Sequence, residues 1–429
     1  MSKKVVIIGN GIAGITCARY VRKQTNYDIT VISSESRYFY SRTALMYIYM
    51  GHMRQEHTQP YENDFWQKNR IGLLQEKVTA VHPDDNCISL ANGNKINYDY
   101  LVLATGSQSN KFGWPGQDLS GVQGLYNLQD LANMEQHTQG ITSAVVVGGG
   151  LIGIETAEML LSRNIKVHFL VRENSFWNAI LPPEESTLIN QLIRHHGIDL
   201  QLETELKEIQ AGTDGKVAAV VTSKGQTIPC GFVALTVGVS PNIAFVKNSG
   251  IQTDRGIVVN HQLQTNYANV FACGDCAQFS TPLPGRRPIE QVWYTGKMQG
   301  YTVAKNIAGQ VTDYQPGHWF NSAKFFDLEY QTYGWVPAQK TDAEDWFYWQ
   351  DSKGPRALRL LWDKETLVFK GLNAMGIRIR HEVCNDWLNQ GTSITDVVKA
   401  LRSANFDPEF FKQYEPAFIA AFHQHLQTV

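Results

Sequence analysis

The chain of 429 residues carries 38 basic against 40 acidic side chains, a formal charge of −2, with 43% hydrophobic and 18% charged residues. This length suits two or three domains, each able to bury its own core, and the composition excludes a disulfide-stapled miniprotein and a chain disordered throughout. The near-balanced charge gives no support to a nucleic-acid or polybasic membrane partner.

The first element is the apolar run Val5-Val6-Ile7-Ile8 after Lys3-Lys4. A charged start before an apolar run is the pattern of a secretory leader, but Asn10, three glycines and Arg19 interrupt it. A strand, a tight turn and a helix start account for it better. Strand 3–8 leads into Gly9-Asn10-Gly11-Ile12-Ala13-Gly14, a helix to about residue 23, and strand 27–32 ending at Ser33-Ser34-Glu35. This is a βαβ unit with G-x-G-x-x-G in its first turn and an acid about 20 residues past the last glycine. An extended stretch over 78–96 follows, turning at Asn92-Gly93, then an apolar strand over 100–104 closing in Thr105-Gly106. Gly113-Trp114-Pro115-Gly116 reads as a linker.

The opening arrangement then returns. Strand 143–147 enters Gly148-Gly149-Gly150-Leu151-Ile152-Gly153, a helix to about 162 and strand 166–171. With 35 glycines in the chain, three fixed glycines match by chance about 0.2 times, so two matches, each between an apolar strand and a helix, are a strong signal. A β-rich stretch runs to 232–238 and ends at Ser240-Pro241-Asn242; Val270-Phe271-Ala272 and Gly274-Asp275 then precede a helix over 293–308. Beyond it, 325–335, 346–349, 358–362 and 368–372 read as strands of an antiparallel sheet, followed by helices over 380–390, 393–403 and 407–426. Asp407-Pro408 supplies the cap and first-turn proline of the last helix. No run of 18 or more apolar residues occurs, so no membrane-spanning segment is expected. Six cysteines are too sparse for an oxidised scaffold, which fits a cytoplasmic protein.

The chemistry of a glycine-rich βα turn is anion binding. Its glycines allow the tight turn and the close approach of a pyrophosphate, and the helix start offers free N–H groups at the positive end of the dipole. Each turn is therefore a dinucleotide seat. Glu35 is placed to accept hydrogen bonds from a ribose diol. At the second seat the strand ends Phe169-Leu170-Val171-Arg172-Glu173, which puts Val171 where the ribose-binding acid is expected. Arg172 is then available for a 2′-phosphate, which favours NADPH, while Glu173 would serve NADH. Two seats in one chain imply electron transfer between two dinucleotides.

Residues 1–310 resemble the FAD-dependent pyridine nucleotide-disulfide oxidoreductase class. Five pieces in order carry the resemblance: Gly9 to Gly14 with Glu35; Ala104-Thr105-Gly106; Gly148 to Gly153 with Glu155; Val237-Gly238 with Pro241-Asn242; and Val270-Phe271-Ala272 with Gly274-Asp275. It implies an α/β fold of two Rossmann-like dinucleotide-binding domains plus an α+β C-terminal interface domain. The implied domains are an FAD domain over 1–112 and 242–312, an NAD(P) domain over 113–241, and an interface or dimerisation domain over 313–429, giving a homodimer. It also implies that Gly9, Gly11, Ile12, Ala13, Gly14, Glu35, Ala104, Thr105, Gly106, Gly238, Gly274 and Asp275 hold FAD, with Asp275 on the ribityl hydroxyls. Val78 matches the family's backbone contact to adenine, and Gln291-Val292 head the helix aimed at flavin O2. Gly148, Gly150, Gly153 and Arg172 then hold NADPH or NADH, with Glu155 near the nicotinamide.

Departures from the class narrow the reaction. Disulfide reductases carry C-x4-C after the Glu35 position, where this chain has Tyr40-Ser41-Arg42-Thr43-Ala44-Leu45-Met46 and no cysteine between 18 and 86. Thr43 also stands where single-cysteine relatives place their thiol. Substrate thiol chemistry is therefore not expected. Cys273 and Cys276 have C-x-x-C spacing but sit inside the FAD motif, and Cys17 reads as a small core residue. Tyr40-Ser41-Arg42 with Ala44-Leu45 is similar to rubredoxin reductases, which places Arg42 near the flavin; the lysine some of them add a few residues later is missing. Residues 321–334 resemble the start of the interface domain of NADH oxidase-like and rubredoxin reductase-like proteins.

The resemblance thus implies hydride transfer from NAD(P)H to flavin N5 and then electron transfer to a rubredoxin- or ferredoxin-like carrier protein. NADH oxidase or quinone reductase activity is the alternative, and a redox-sensing flavoprotein similar to apoptosis-inducing factor is the non-enzyme one. No metal site is expected. The tail aromatics Trp346, Phe347, Tyr348, Trp349, Trp362 and Trp387 read as sheet core plus dimer contact rather than a partner or quinone surface. The apolar stripe of the last helix, Phe410, Phe411, Tyr414, Phe418, Ile419, Phe422 and Leu426, reads as docked on its own domain.

Overall fold

The computed structural model describes residues 2–407, 409–410 and 412–428. The chain parts into two compact units, one of 2–113, 117–140 and 237–316, the other of 114–116, 141–236 and the tail from 317. The tail groups with the residues around the second glycine turn.

The first unit is built on a parallel sheet in the order Val270–Ala272, Tyr100–Leu103, Lys4–Ile8, Asp28–Ser33, Ile71–Gln75. Its strands are nearly continuous apolar runs because both faces of such a sheet are covered. On it the helix Ile12–Gln24 packs against the helix Trp293–Ile307. They meet closely: a Cβ added at Gly300 would overlap the Ala13 carbonyl. The stretch over 78–96 forms the expected hairpins, as the antiparallel strands Val78–His82, Cys87–Leu90 and Lys95–Asn97. The helix Leu128–His137, not anticipated, starts in a capping box in which Asn127 accepts from the Asp130 N–H and the Asp130 carboxylate accepts from that of Asn127.

In the second unit, parallel strands run in the order Asp199–Gln201, Lys166–Leu170, Ser143–Val147, Phe232–Leu235, with the helix Leu151–Ser162 crossing between the two that follow the repeat. The stretch expected to be β-rich contains the helix Pro183–His195, a correction. Its signals lay in the sequence: proline at the first helical position, Glu184 and Glu185 in the first turn, then Leu188, Ile189, Leu192 and Ile193 on one face.

The tail is a five-stranded antiparallel sheet in the order Phe320–Phe325, Leu328–Gly334, Phe369–Met375, Ala357–Asp363, Glu344–Gln350. The single strand expected over 325–335 is thus a hairpin turning at Phe326-Asp327, with Phe326 in left-handed backbone at φ 54°. Helices His381–Gln390 and Ile394–Lys399 follow, and the last helix is Glu415–Thr428, beginning eight residues later than the expected 407. Pro408 and Phe411 lie outside the described residues. The last helix buries Phe418 and Phe422 against Phe347, with ring centroids 5.3 Å apart in both pairs, and leaves Leu426 exposed. Trp362 and Trp387 lie in the same core.

One buried charge cluster joins the tail sheet to the helix Pro183–His195. Arg359, fully buried, donates to Glu185 Oε1 at 2.8 Å and Glu184 Oε2 at 2.7 Å, and its guanidinium lies between the rings of Trp346 and Tyr348. Asn373 donates to the second Glu185 oxygen at 2.7 Å. Among the described residues no helix is long and apolar enough to cross a membrane.

Candidate functional site

The two glycine turns have the same construction. Gly9 and Gly148 sit at φ 110° and 111°, and their N–H groups donate to the carbonyls of Ile32 and Leu170, at 2.8 and 2.9 Å. A Cβ at Gly14 would overlap the Gly9 carbonyl, and one at Gly153 the Gly148 carbonyl, so helix and turn close on each other only with glycine there. A Cβ at Gly11 or Gly150, the helix caps, would meet nothing within 4 Å. Each turn thus leaves open space over a helix start whose first N–H groups lack intrahelical partners, the cradle a diphosphate needs. Ile12 and Ala13 open the first helix.

Around the first turn the structure gathers most of the predicted residues. The Ala104 N–H donates to the Ile8 carbonyl at 2.8 Å. Thr105 Oγ1 donates to the Asn242 carbonyl at 2.8 Å, and the Asn242 N–H to Gly106 O at 2.9 Å. Gly274 turns at φ 78° against Ala13, its N–H held by Gln299 Oε1 at 2.7 Å. The Val292 carbonyl accepts from the Gly296 N–H at 3.0 Å, and Val292 caps the helix Trp293–Ile307. Val78 keeps its side chain in the core, leaving only its backbone for a ligand. Gly238 lies in left-handed backbone, at φ 86°, where the chain re-enters this unit.

Glu35 and Arg42 meet. Arg42 Nη2 lies 2.6 Å from Glu35 Oε2, and Oε1 also accepts from the Leu128 N–H at 3.1 Å and from the Tyr40 hydroxyl. Burial opposes the Arg42 charge, yet Tyr40 and Glu35 hold its proton above the usual arginine range. The same guanidinium lies 4.5 Å over the Tyr126 ring and donates to the Tyr126 carbonyl. The Tyr126 hydroxyl accepts from the Ser107 N–H at 2.8 Å and donates to Asp275 Oδ2 at 3.4 Å; Ser107 Oγ donates to the same oxygen at 3.2 Å. Gln291 Nε2 donates to Ser107 Oγ at 2.9 Å. A continuous polar chain therefore runs from Glu35 through Arg42 and Tyr126 to Asp275 and Gln291. Burial pushes the Asp275 carboxyl up, against Ser107, Arg42 and Tyr126, which favour its charged form. Ser107 and Tyr126 were not singled out from sequence.

All six cysteines are unbridged and buried. Burial pushes the thiols of Cys17, Cys273 and Cys276 up, away from the reactive thiolate, and Cys276 donates to the Leu103 carbonyl at 3.3 Å.

At the second turn, Val171 is fully buried against Gly149, where a Cβ would lie 2.7 Å from its Cγ1. The matching anchors of Gly9 on Ile32 and Gly148 on Leu170 set the register between the repeats. Glu35 is the third residue past the first anchor, and the third past the second is Glu173, so Glu173 and not Val171 is the counterpart of Glu35. Arg172 pairs with it, Nη2 to Oε1 at 2.9 Å. Glu155, on the helix Leu151–Ser162, has its carboxyl pushed up to about 7 by burial and then by the Glu158 charge.

The family model described as pyridine nucleotide-disulphide oxidoreductase matches residues 3–305. Rhodocoxin reductase of Rhodococcus erythropolis is 29% identical over 332 residues, 75% of this chain and 76% of that protein. NADH oxidase of Methanocaldococcus jannaschii is 31% identical over 344 residues, 76% of this chain and 75% of that protein. A ferredoxin reductase structure from Rhodopseudomonas palustris has 25% identity and a TM-score of 0.80, covering 87% of this chain and 91% of that one.

Proposed function

The chain belongs to the pyridine nucleotide-disulphide oxidoreductase family and is an FAD-dependent NAD(P)H oxidoreductase; we propose that it draws electrons from NADH and delivers them to a rubredoxin- or ferredoxin-like carrier protein. Bound FAD supplies the redox chemistry, taking a hydride from the nicotinamide and releasing electrons to the acceptor. The first glycine turn holds the FAD diphosphate at the start of the helix Ile12–Gln24, Glu35 faces its ribose, and Asp275 and Gln291 anchor the part nearer the flavin. The fit rests on the open cradle over Gly11 and on the polar chain that ends at the buried Asp275.

The observation that carries the choice of NADH is the register of Glu173. A carboxylate at that place accepts from both hydroxyls of the adenosine ribose and repels a 2′-phosphate. Arg172, the candidate partner of such a phosphate, is already paired with it. Several matching relatives carry NADH or NAD(+) in their names, among them NADH-rubredoxin oxidoreductase of Clostridium acetobutylicum. The carrier-protein acceptor is supported by the burial of all six thiols, which leaves no exposed redox cysteine to pass electrons to a disulfide. The same unbridged thiols support residence in a reducing cytoplasm.

Likeness to the archaeal NADH oxidase favours oxygen as a second acceptor. Both readings are tested together by anaerobic stopped-flow reduction with NADH and NADPH, followed by reoxidation with rubredoxin, ferredoxin, a quinone and oxygen. Faster bleaching by NADH and fast reoxidation by a carrier protein are expected. Protein that purifies without flavin, or flavin that neither nucleotide bleaches, refutes the assignment.

A further inference from the structure

The helix that leaves the second glycine turn carries two carboxylates one turn apart, Glu155 and Glu158. Glu158 is answered by Lys324 of the tail strand Phe320–Phe325, with Nζ 3.1 Å from Oε1. For Glu155 the influences are burial and the Glu158 charge. Three other strands pack on this helix. Ser143–Val147 and Phe232–Leu235 have no titratable side chain; Lys166–Leu170 has an exposed Lys166 and a His168 that holds Asp199 at 2.7 Å. The cation on Glu158 thus comes from 166 residues away, outside both glycine repeats.

We propose that Lys324 is a positioning residue for the nicotinamide seat: by holding Glu158 it weakens the push of that charge on Glu155, which then takes a proton beside a neutral dihydronicotinamide and gives it up to solvent beside the cationic oxidised ring. The proposal rests on the reading that places Glu155 near the nicotinamide. The physical ground is linkage. An oxidised nicotinamide carries a positive charge that a carboxylate stabilises and a carboxylic acid does not, so affinity for the oxidised nucleotide rises as Glu155 ionises. An unanswered Glu158 three residues along opposes that ionisation, because side chains at this spacing are neighbours on the helix surface. The tail sheet thereby supplies the charge that decides when the nucleotide site is anionic.

The test is equilibrium binding to the oxidised holoenzyme, by calorimetry, of NAD+ and of its tetrahydronicotinamide analogue, whose ring is neutral and transfers no hydride, between pH 5.5 and 8.5. NAD+ affinity is expected to rise about tenfold across a midpoint near 7, with no such rise for the analogue. Glu155→Gln flattens the profile. Lys324→Met moves the midpoint up by about one pH unit, Lys324→Arg restores it, and Glu158→Gln moves it down. A flat wild-type profile with normal affinity overturns the proposal, as does an unmoved midpoint in Lys324→Met at unchanged thermal stability. Should Lys324→Met fail to fold, the direction of the Glu158→Gln shift decides. Failure of both nucleotides to bind at any pH instead removes the seat assignment itself.

Discussion

Replacing Glu173 with alanine isolates the choice between the two nicotinamide nucleotides. A carboxylate hydrogen-bonded to a ribose diol contributes about 1.5–3 kcal/mol per charge-assisted bond. The Glu173 side chain is 36% exposed, so about 2 kcal/mol in all is the reasonable figure, a loss of roughly thirtyfold in NADH affinity. The substitution also frees Arg172, whose side chain is 72% exposed. Pairing that guanidinium with a 2′-phosphate is worth about 1 kcal/mol at such a site, roughly fivefold for NADPH. The ratio of the two affinities should therefore fall by about a hundredfold. Stopped-flow flavin bleaching at varied nucleotide concentration gives both dissociation constants in one preparation. Equal effects on NADH and NADPH, or an unchanged NADH constant, would show that Glu173 does not face the ribose and that the register between the repeats has no functional meaning. Arg172→Ala is the control, and should leave NADH within about twofold while weakening NADPH further.

Other expectations follow from packing and charge. Gly14→Ala drives a methyl into the Gly9 carbonyl, and the expected product is folded protein with little flavin, read from the ratio of absorbance at 450 and 280 nm; full occupancy would count against the seat. Tyr126→Phe strips the Ser107 N–H and Asp275 of a partner, so FAD should dissociate about tenfold faster, and an unchanged rate would mean that this network does not hold the cofactor. Arg359→Met leaves Glu185 buried with only Asn373 as partner and should cost about 3–5 kcal/mol at pH 8. Burial already holds that carboxyl above its ordinary value. A raised folded value means the charge penalty is absent at low pH and grows as pH rises, so the loss of thermal stability should be smaller at pH 5 than at pH 8; the opposite trend refutes the account. Native protein should react with a thiol reagent only on unfolding, since all six thiols are buried.

What was legible in the sequence was local. Each glycine turn declares itself within a few residues, because turn, strand end and helix start are neighbours in the chain, and the structure holds both turns by the same hydrogen bond. The counterpart of Glu35 in the second repeat was not legible, because it depends on where the strand ends. Strand 166–171 was read one residue too long, which made Val171 its last outward position; the bond from Gly148 to Leu170 sets the count instead. Polar networks escaped for a different reason. Asp275 meets Ser107 and Tyr126 across 168 and 149 residues, and Lys324 reaches Glu158 from a sheet whose hairpin register no local pattern specifies. The helix Pro183–His195 is a different case, since its start signals were present and were outweighed by the β-branched residues on either side.

The short antiparallel pair of Ser107–Ser109 with Val239–Pro241 has a consequence for synthesis. It brings the outgoing and returning chain side by side, so 141–236 is an insertion into a unit whose sheet stays incomplete until Val270–Ala272 pairs with Tyr100–Leu103. On the ribosome, the four parallel strands of the second turn have all been made by Leu235, before the edge strand of the first sheet. The two sheets are then completed in the reverse of the order in which they begin: the parallel strands of the second turn are all made before the first sheet receives its edge strand.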